Sequence, residues 1–165
     1  MKNSYLLLFI LFLLTSCGTS KRTANTVIIG DKSIAVSAKK ATKIVEYAKT
    51  FEGTRYKFGG TDKKGMDCSG LVYTSFKNEN ILLPRISRDM ATKGIEIGLS
   101  NTEKGDLLFF KTSKNRKEIN HVGLVVENQK GTILFIHSTT SKGVIISSLE
   151  ESYWKDAFVE VRRII

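Results

Sequence analysis

The chain has 165 residues, 41% of them hydrophobic, which suits one domain with a buried core and makes disorder not the default reading. Lys and Arg number 26 against 16 Asp and Glu, a net charge of +10, yet no basic run is interleaved with aromatics, so no nucleic-acid partner is expected. The charge reads as a solvated basic surface, or as attraction to anionic lipid, acidic wall polymers or acidic peptides.

The N-terminus is expected to lie outside the fold. Lys2 supplies a positive start, and Leu6 to Leu14 is an unbroken apolar run. As a helix that run rises about 13 Å, against roughly 30 Å of hydrocarbon in a bilayer, which fits a signal-peptide core rather than a membrane span. Leu14-Thr15-Ser16-Cys17 follows and resembles a bacterial lipobox. The expected organisation is therefore a lipoprotein signal over 1–16, a lipidated Cys17 with a flexible tether over 17–37, and one domain over 38–165. Acylation of Cys17 leaves Cys68, the second of two cysteines, without a disulfide partner. An unpaired thiol in an exported chain is either a small buried hydrophobe or a reactive group.

From Gly18 to Ser37 no period is sustained, although Val27-Ile28-Ile29 suits an edge strand. Ala41, Ile44, Val45, Ala48 and Phe51 follow helical spacing, and Gly53 is a plausible stop. Tyr56 to Gly65 reads as a loop. A second helix starts near Asp67, a competent N-cap, with Leu71, Val72, Ser75 and Phe76 on one face. A short helix over Ser87 to Lys93 follows the single proline, Pro84. Leu107 to Lys111, His121 to Glu127, Thr132 to Ser138, Val144 to Ser147 and Phe158 to Ile164 have strand composition with turn signals between them. Helices first and strands afterwards predict an α+β domain, its helices covering one side of an antiparallel sheet.

Cys68 falls in the first turn of the second helix, where unpaired amides and the helix dipole favour a thiolate. The Asp67 carboxylate opposes this, so a basic partner is needed. The chain holds only two histidines. His121 opens one predicted strand and His137 closes the next, so a hairpin turning at Asn128 to Gly131 sets them side by side. One imidazole then takes the thiol proton while the other orients it. The same three residues also suit a three-ligand zinc site, but no C-x-x-C or H-E-x-x-H pair is present, and neither metal nor cofactor is expected.

Six segments in order then resemble the NlpC/P60 family: Tyr56-Lys57-Phe58-Gly59-Gly60, Met66 to Val72, Leu83-Pro84-Arg85 with Ser87, Gly105 to Phe110, His121-Val122-Gly123 and Ile136-His137-Ser138. The resemblance implies a compact papain-like α+β fold and a peptidase of peptidoglycan, commonly cutting between a γ-D-glutamyl group and a diamino acid. It implies Cys68 as nucleophile, His121 as general base, His137 as orienting residue and Tyr56 as a hydroxyl near the oxyanion. Asp67 and Ser69, and more weakly Arg85 and Ser87, are implied as substrate contacts, although capping explains Asp67 and Ser69 equally. Phe58 stands where many relatives have tryptophan, and Met90 where many have glutamine. Two other readings remain, a binding module without hydrolysis and an amidase or transpeptidase acting on another amide. The expected partners are peptidoglycan peptides and, through lipid on Cys17, a membrane; Gly18 points to the outer one. A monomer is expected.

Overall fold

Apolar runs that alternate faces build the sheet, and the helices settle where their buried stripes meet it. The computed structural model describes residues 26–113, 115 and 117–165. Helix α1 spans Thr26–Lys49, and a two-strand ribbon, β1 (Thr61–Asp62) and β2 (Gly65–Met66), leads into α2 (Cys68–Asn78) and the single-turn α3 (Ser87–Met90). Then come β3 (Ile95–Ile97), β4 (Leu107–Phe110), β5 (His121–Gln129), β6 (Thr132–Thr139), β7 (Gly143–Ser148), α4 (Ser152–Ala157) and β8 (Phe158–Arg163). The main sheet runs β3-β8-β4-β5-β6-β7 with every pairing antiparallel. The α+β expectation is met.

Leu107 and Phe109 point to one face of β4, Leu108 and Phe110 to the other. On the first face, Ile44, Val45 and Ala48 of α1 and Leu71, Val72 and Phe76 of α2 bury against Phe109, Leu124 and Ile136. The expectation that helices cover only one side needs correction. On the second face, α4 sets Trp154 and Ala157 against Phe110, Phe135 and Val161. Six residues are too few to show a helical period, and this is why α4 does not show in the sequence.

A second correction concerns α1. It begins at Thr26, so Val27-Ile28-Ile29 is helical rather than an edge strand, and the expected tether is helical from Thr26 to Ser37. Burial of Ile44, Val45 and Ala48 fixes the C-terminal half, and extending a formed helix gains a hydrogen bond for each residue added. Ile34 and Val36 remain exposed, so these positions carry no amphipathic signature. The signal segment 1–16, Cys17 and residues 18–25 lie outside the described residues. Among those described, no helix is long and apolar enough to cross a membrane.

The edge strand β3 pairs with β8, Ile95 opposite Arg163, and was not expected from three residues. The β1–β2 ribbon falls at the end of the stretch read as a loop, and α3 ends at Met90, three residues short of Lys93. The elements α2, β4, β5, β6, β7 and β8 follow the predicted order with boundaries moved by one or two residues.

Candidate active site

Cys68 opens α2, and the residues around it hold that helix end in place. Asp67 is extended (φ −96°, ψ 175°), and its Oδ1 accepts the Gly70 amide at 2.6 Å. Oδ2 accepts the Gly59 amide at 2.8 Å. The Arg85 guanidinium grips the same carboxylate with both nitrogens, Nη1 to Oδ1 and Nη2 to Oδ2, each 2.9 Å. Nη1 also donates to Ser69 Oγ at 2.9 Å, and Nη2 to the Gly60 carbonyl at 3.3 Å. Gly70 lies so close to the Gly60 carbonyl that a Cβ there has no room. Asp67, Ser69 and Arg85, expected to contact substrate, are thus satisfied by one another.

The Cys68 thiol is half-buried and free. Burial raises its pKa most, the Val122 backbone amide acts against this, and Asp67 raises it further. The resting group is therefore a thiol that needs a base. Val122 follows His121 directly, which places the start of β5 at the sulfur.

His121 Nε2 lies 2.9 Å from His137 Nδ1. The pairing depends on a β-bulge. Near the turn Gln129 faces Thr132 and Glu127 faces Leu134, whereas beyond the bulge Val125 faces Phe135 and Leu124 faces Ile136. Val126 is the extra residue. Without the shift Leu124 would stand opposite His137, and the two imidazoles would emerge on opposite sides of the sheet. With it they share one face as diagonal neighbours. Burial lowers the pKa of His121 to about 4, and burial followed by the charge of His121 lowers His137 to about 3. Both rings are neutral at pH 7. Since Nε2 of His121 is committed to His137, Nδ1 is the nitrogen left to act as base.

Cys68, His121 and Tyr56 line one cleft of about 450 Å³. Burial raises the Tyr56 pKa, as do Asp67 and Cys68, so its hydroxyl stays protonated and can donate. Arg85 and Ser87 do not line this cleft; Ser87 is buried where α3 begins. Met90 has 0% exposure and belongs to the core, so no substrate contact is made from its side chain. Phe58 is 88% exposed in the loop whose neighbour Gly59 binds Asp67. Among the described residues no group of His, Cys, Asp and Glu stands ready to hold a metal. Sequence reasoning missed Trp154, which lines the cleft beside the histidines; it is the chain's single tryptophan, but nothing local ties it to them.

The sequence model of the NlpC/P60 family matches residues 53–163. "Murein DD-endopeptidase MepS/Murein LD-carboxypeptidase" of Escherichia coli is 37% identical over 125 residues, covering 75% of this chain and 63% of that protein. The chain therefore spans under two thirds of the length of that relative. "Probable endopeptidase NlpC" of Escherichia coli is 35% identical over 160 residues, 96% of this chain and 97% of the relative. An NlpC/P60 family protein from Bacillus cereus has the same fold, with a TM-score of 0.68 at 28% identity, over 74% of this chain and 39% of that one. With the family match over residues 53–163 covering most of the chain, this chain belongs to the NlpC/P60 family.

Proposed function

We propose that the chain is a cysteine endopeptidase of peptidoglycan peptides. The observation that carries this reading is a helix-start thiol in one cleft with His121, a buried imidazole hydrogen-bonded to His137. His121 Nδ1 takes the Cys68 proton as sulfur attacks the scissile carbonyl, and His137 holds the ring through Nε2. Amides at the start of α2 and the Tyr56 hydroxyl receive the developing oxyanion. The imidazolium then protonates the leaving amine, and water activated by the same ring releases the acyl group. Peptide chemistry of this kind requires no cofactor.

The bond we assign joins a γ-D-glutamyl carbonyl to a diamino acid in stem or crosslink peptides. Relatives support it: one from Bacillus subtilis, 35% identical over 134 residues, is named "Gamma-D-glutamyl-L-lysine dipeptidyl-peptidase", although this chain covers only 44% of its length. The lipobox-like Leu14 to Cys17 adds an envelope anchor through acylated Cys17, with the outer membrane as destination. The test is mass spectrometry of purified muropeptides incubated with the protein and with Cys68→Ala. New fragments ending in D-glutamate, absent with the variant, are expected. Hydrolysis that survives Cys68→Ala, or stem peptides bound but never cut, overturns the reading.

A further inference from the structure

Both imidazoles meet one indole. His121 stacks on Trp154, ring centres 5.1 Å apart and planes at 22°, whereas His137 meets the indole edge-on at 4.5 Å and 81°. The imidazoles are themselves perpendicular, at 89°. Of the two imidazoles Phe110 meets only His121 and Phe135 only His137, so among the other described aromatic side chains Trp154 alone contacts both. Trp154 is 7% exposed and comes from α4, on the sheet face shared by the two histidines.

We propose that Trp154 is a positioning residue of the active site: its π face fixes the plane of His121 and stabilises the imidazolium formed when that ring takes the Cys68 proton. This rests on the reading of Cys68 and His121 as the catalytic pair. One hydrogen bond fixes a direction but leaves an imidazole free to swing about it; a stacked wall removes that freedom. The tautomer that leaves Nδ1 of His121 free puts a proton on Nε2 and makes His137 Nδ1 the acceptor. His137 then carries its own proton on Nε2, a buried atom with no nitrogen or oxygen partner among the described residues. Aromatic rings enclose it instead. The cation that catalysis creates is likewise out of water, and the negative face of an indole is the environment that favours it there. The other titratable groups facing the cleft are Cys68, Tyr56, Lys142, Glu151 and Tyr153, none of them stacked on either imidazole.

Because the chain contains one tryptophan, its electronics can be altered without altering its shape. The experiment incorporates tryptophan carrying one to four ring fluorines into the full chain. Two readouts are taken, hydrolysis of a stem tripeptide and the rate at which iodoacetamide alkylates Cys68, mapped by mass spectrometry. Fluorination drains the π face, so kcat is expected to fall stepwise, about tenfold over the series, with KM within twofold and Tm within 2 °C. Alkylation of Cys68 should slow in parallel, since thiolate forms only as His121 accepts a proton. Trp154→Leu, if folded, should lose about 10–30-fold in kcat. A flat alkylation series overturns the role of the indole whatever the substrate proves to be. An unmodified protein that alkylates readily but never cuts the tripeptide sinks the peptidase reading instead.

Discussion

Arg85→Met, which keeps an apolar stem and removes the guanidinium, asks whether the Asp67 carboxylate organises the helix that Cys68 opens or waits for substrate. Asp67 is 8% exposed and would keep the Gly59 and Gly70 amides but lose the one cation paired with it among the described residues. Breaking a fully buried pair costs about 3–5 kcal/mol; the Arg85 side chain is 35% exposed and Asp67 retains other donors, so about 2 kcal/mol is expected. For a chain of this size that lowers Tm by roughly 4–8 °C. The unmatched carboxylate also lies beside Cys68, whose pKa Asp67 already raises, so alkylation of the thiol should slow. Adding Asp67→Asn to Arg85→Met should restore most of the lost Tm, because a neutral amide needs no cation. Circular dichroism melts and timed alkylation of the four proteins close the cycle. A Tm within 1 °C of the parent, together with a raised KM alone, would refute this account and make Arg85 a substrate contact.

Folding stability should depend on pH through the two histidines, the only groups of their kind in the chain. Their folded pKa values, about 4 and about 3, lie below the unfolded 6.5, so the unfolded chain binds protons that the folded one refuses. Stability is then complete above pH 6.5 and declines as pH falls towards 4, at up to about 1.4 kcal/mol per pH unit for each ring. Urea midpoints that stay level between pH 7 and 5.5 would contradict the burial of neutral imidazoles. Deleting Val126 removes the bulge and should send the two rings to opposite faces, lowering kcat by about 10²–10⁴-fold. Activity within tenfold of the parent would show that the bulge does not align them.

The legible features were those that local chemistry encodes. Asp67 announced a helix start because its side chain caps an amide three residues on, and α2 begins at the next residue. Strands β4 to β7 declared themselves by β-branched and aromatic runs, with Gly-containing turns before β4 and between β5, β6 and β7; Lys130 and Gly131 of the β5–β6 turn have positive φ. Features that depend on distant partners stayed hidden. The Asp67–Arg85 pair joins residues 18 apart, and the Ser138 hydroxyl donates to the Met66 carbonyl across 72. The contact of α4 with the histidines has no local sign either. Trp154 looks like any short-helix aromatic until the sheet brings His121 and His137 beneath it.

The histidine pair was expected for a reason that was sound but incomplete. A hairpin turning at Asn128 to Gly131 does bring the start of β5 beside the end of β6, so proximity follows from the turn alone. Facing is a separate matter, because strand parity decides which side each ring leaves. In a half-exposed strand, alternation of apolar and polar residues would have shown that parity. His121 to Val126 is buried on both faces, so its sequence does not alternate and the bulge leaves no trace in the pattern. The same double burial that hides the bulge also drives both imidazoles neutral and encloses them with Trp154. The geometry of the histidine pair and the ambiguity of its sequence therefore share one physical origin: a site built inside a two-sided sheet gives up the periodicity that would have revealed it.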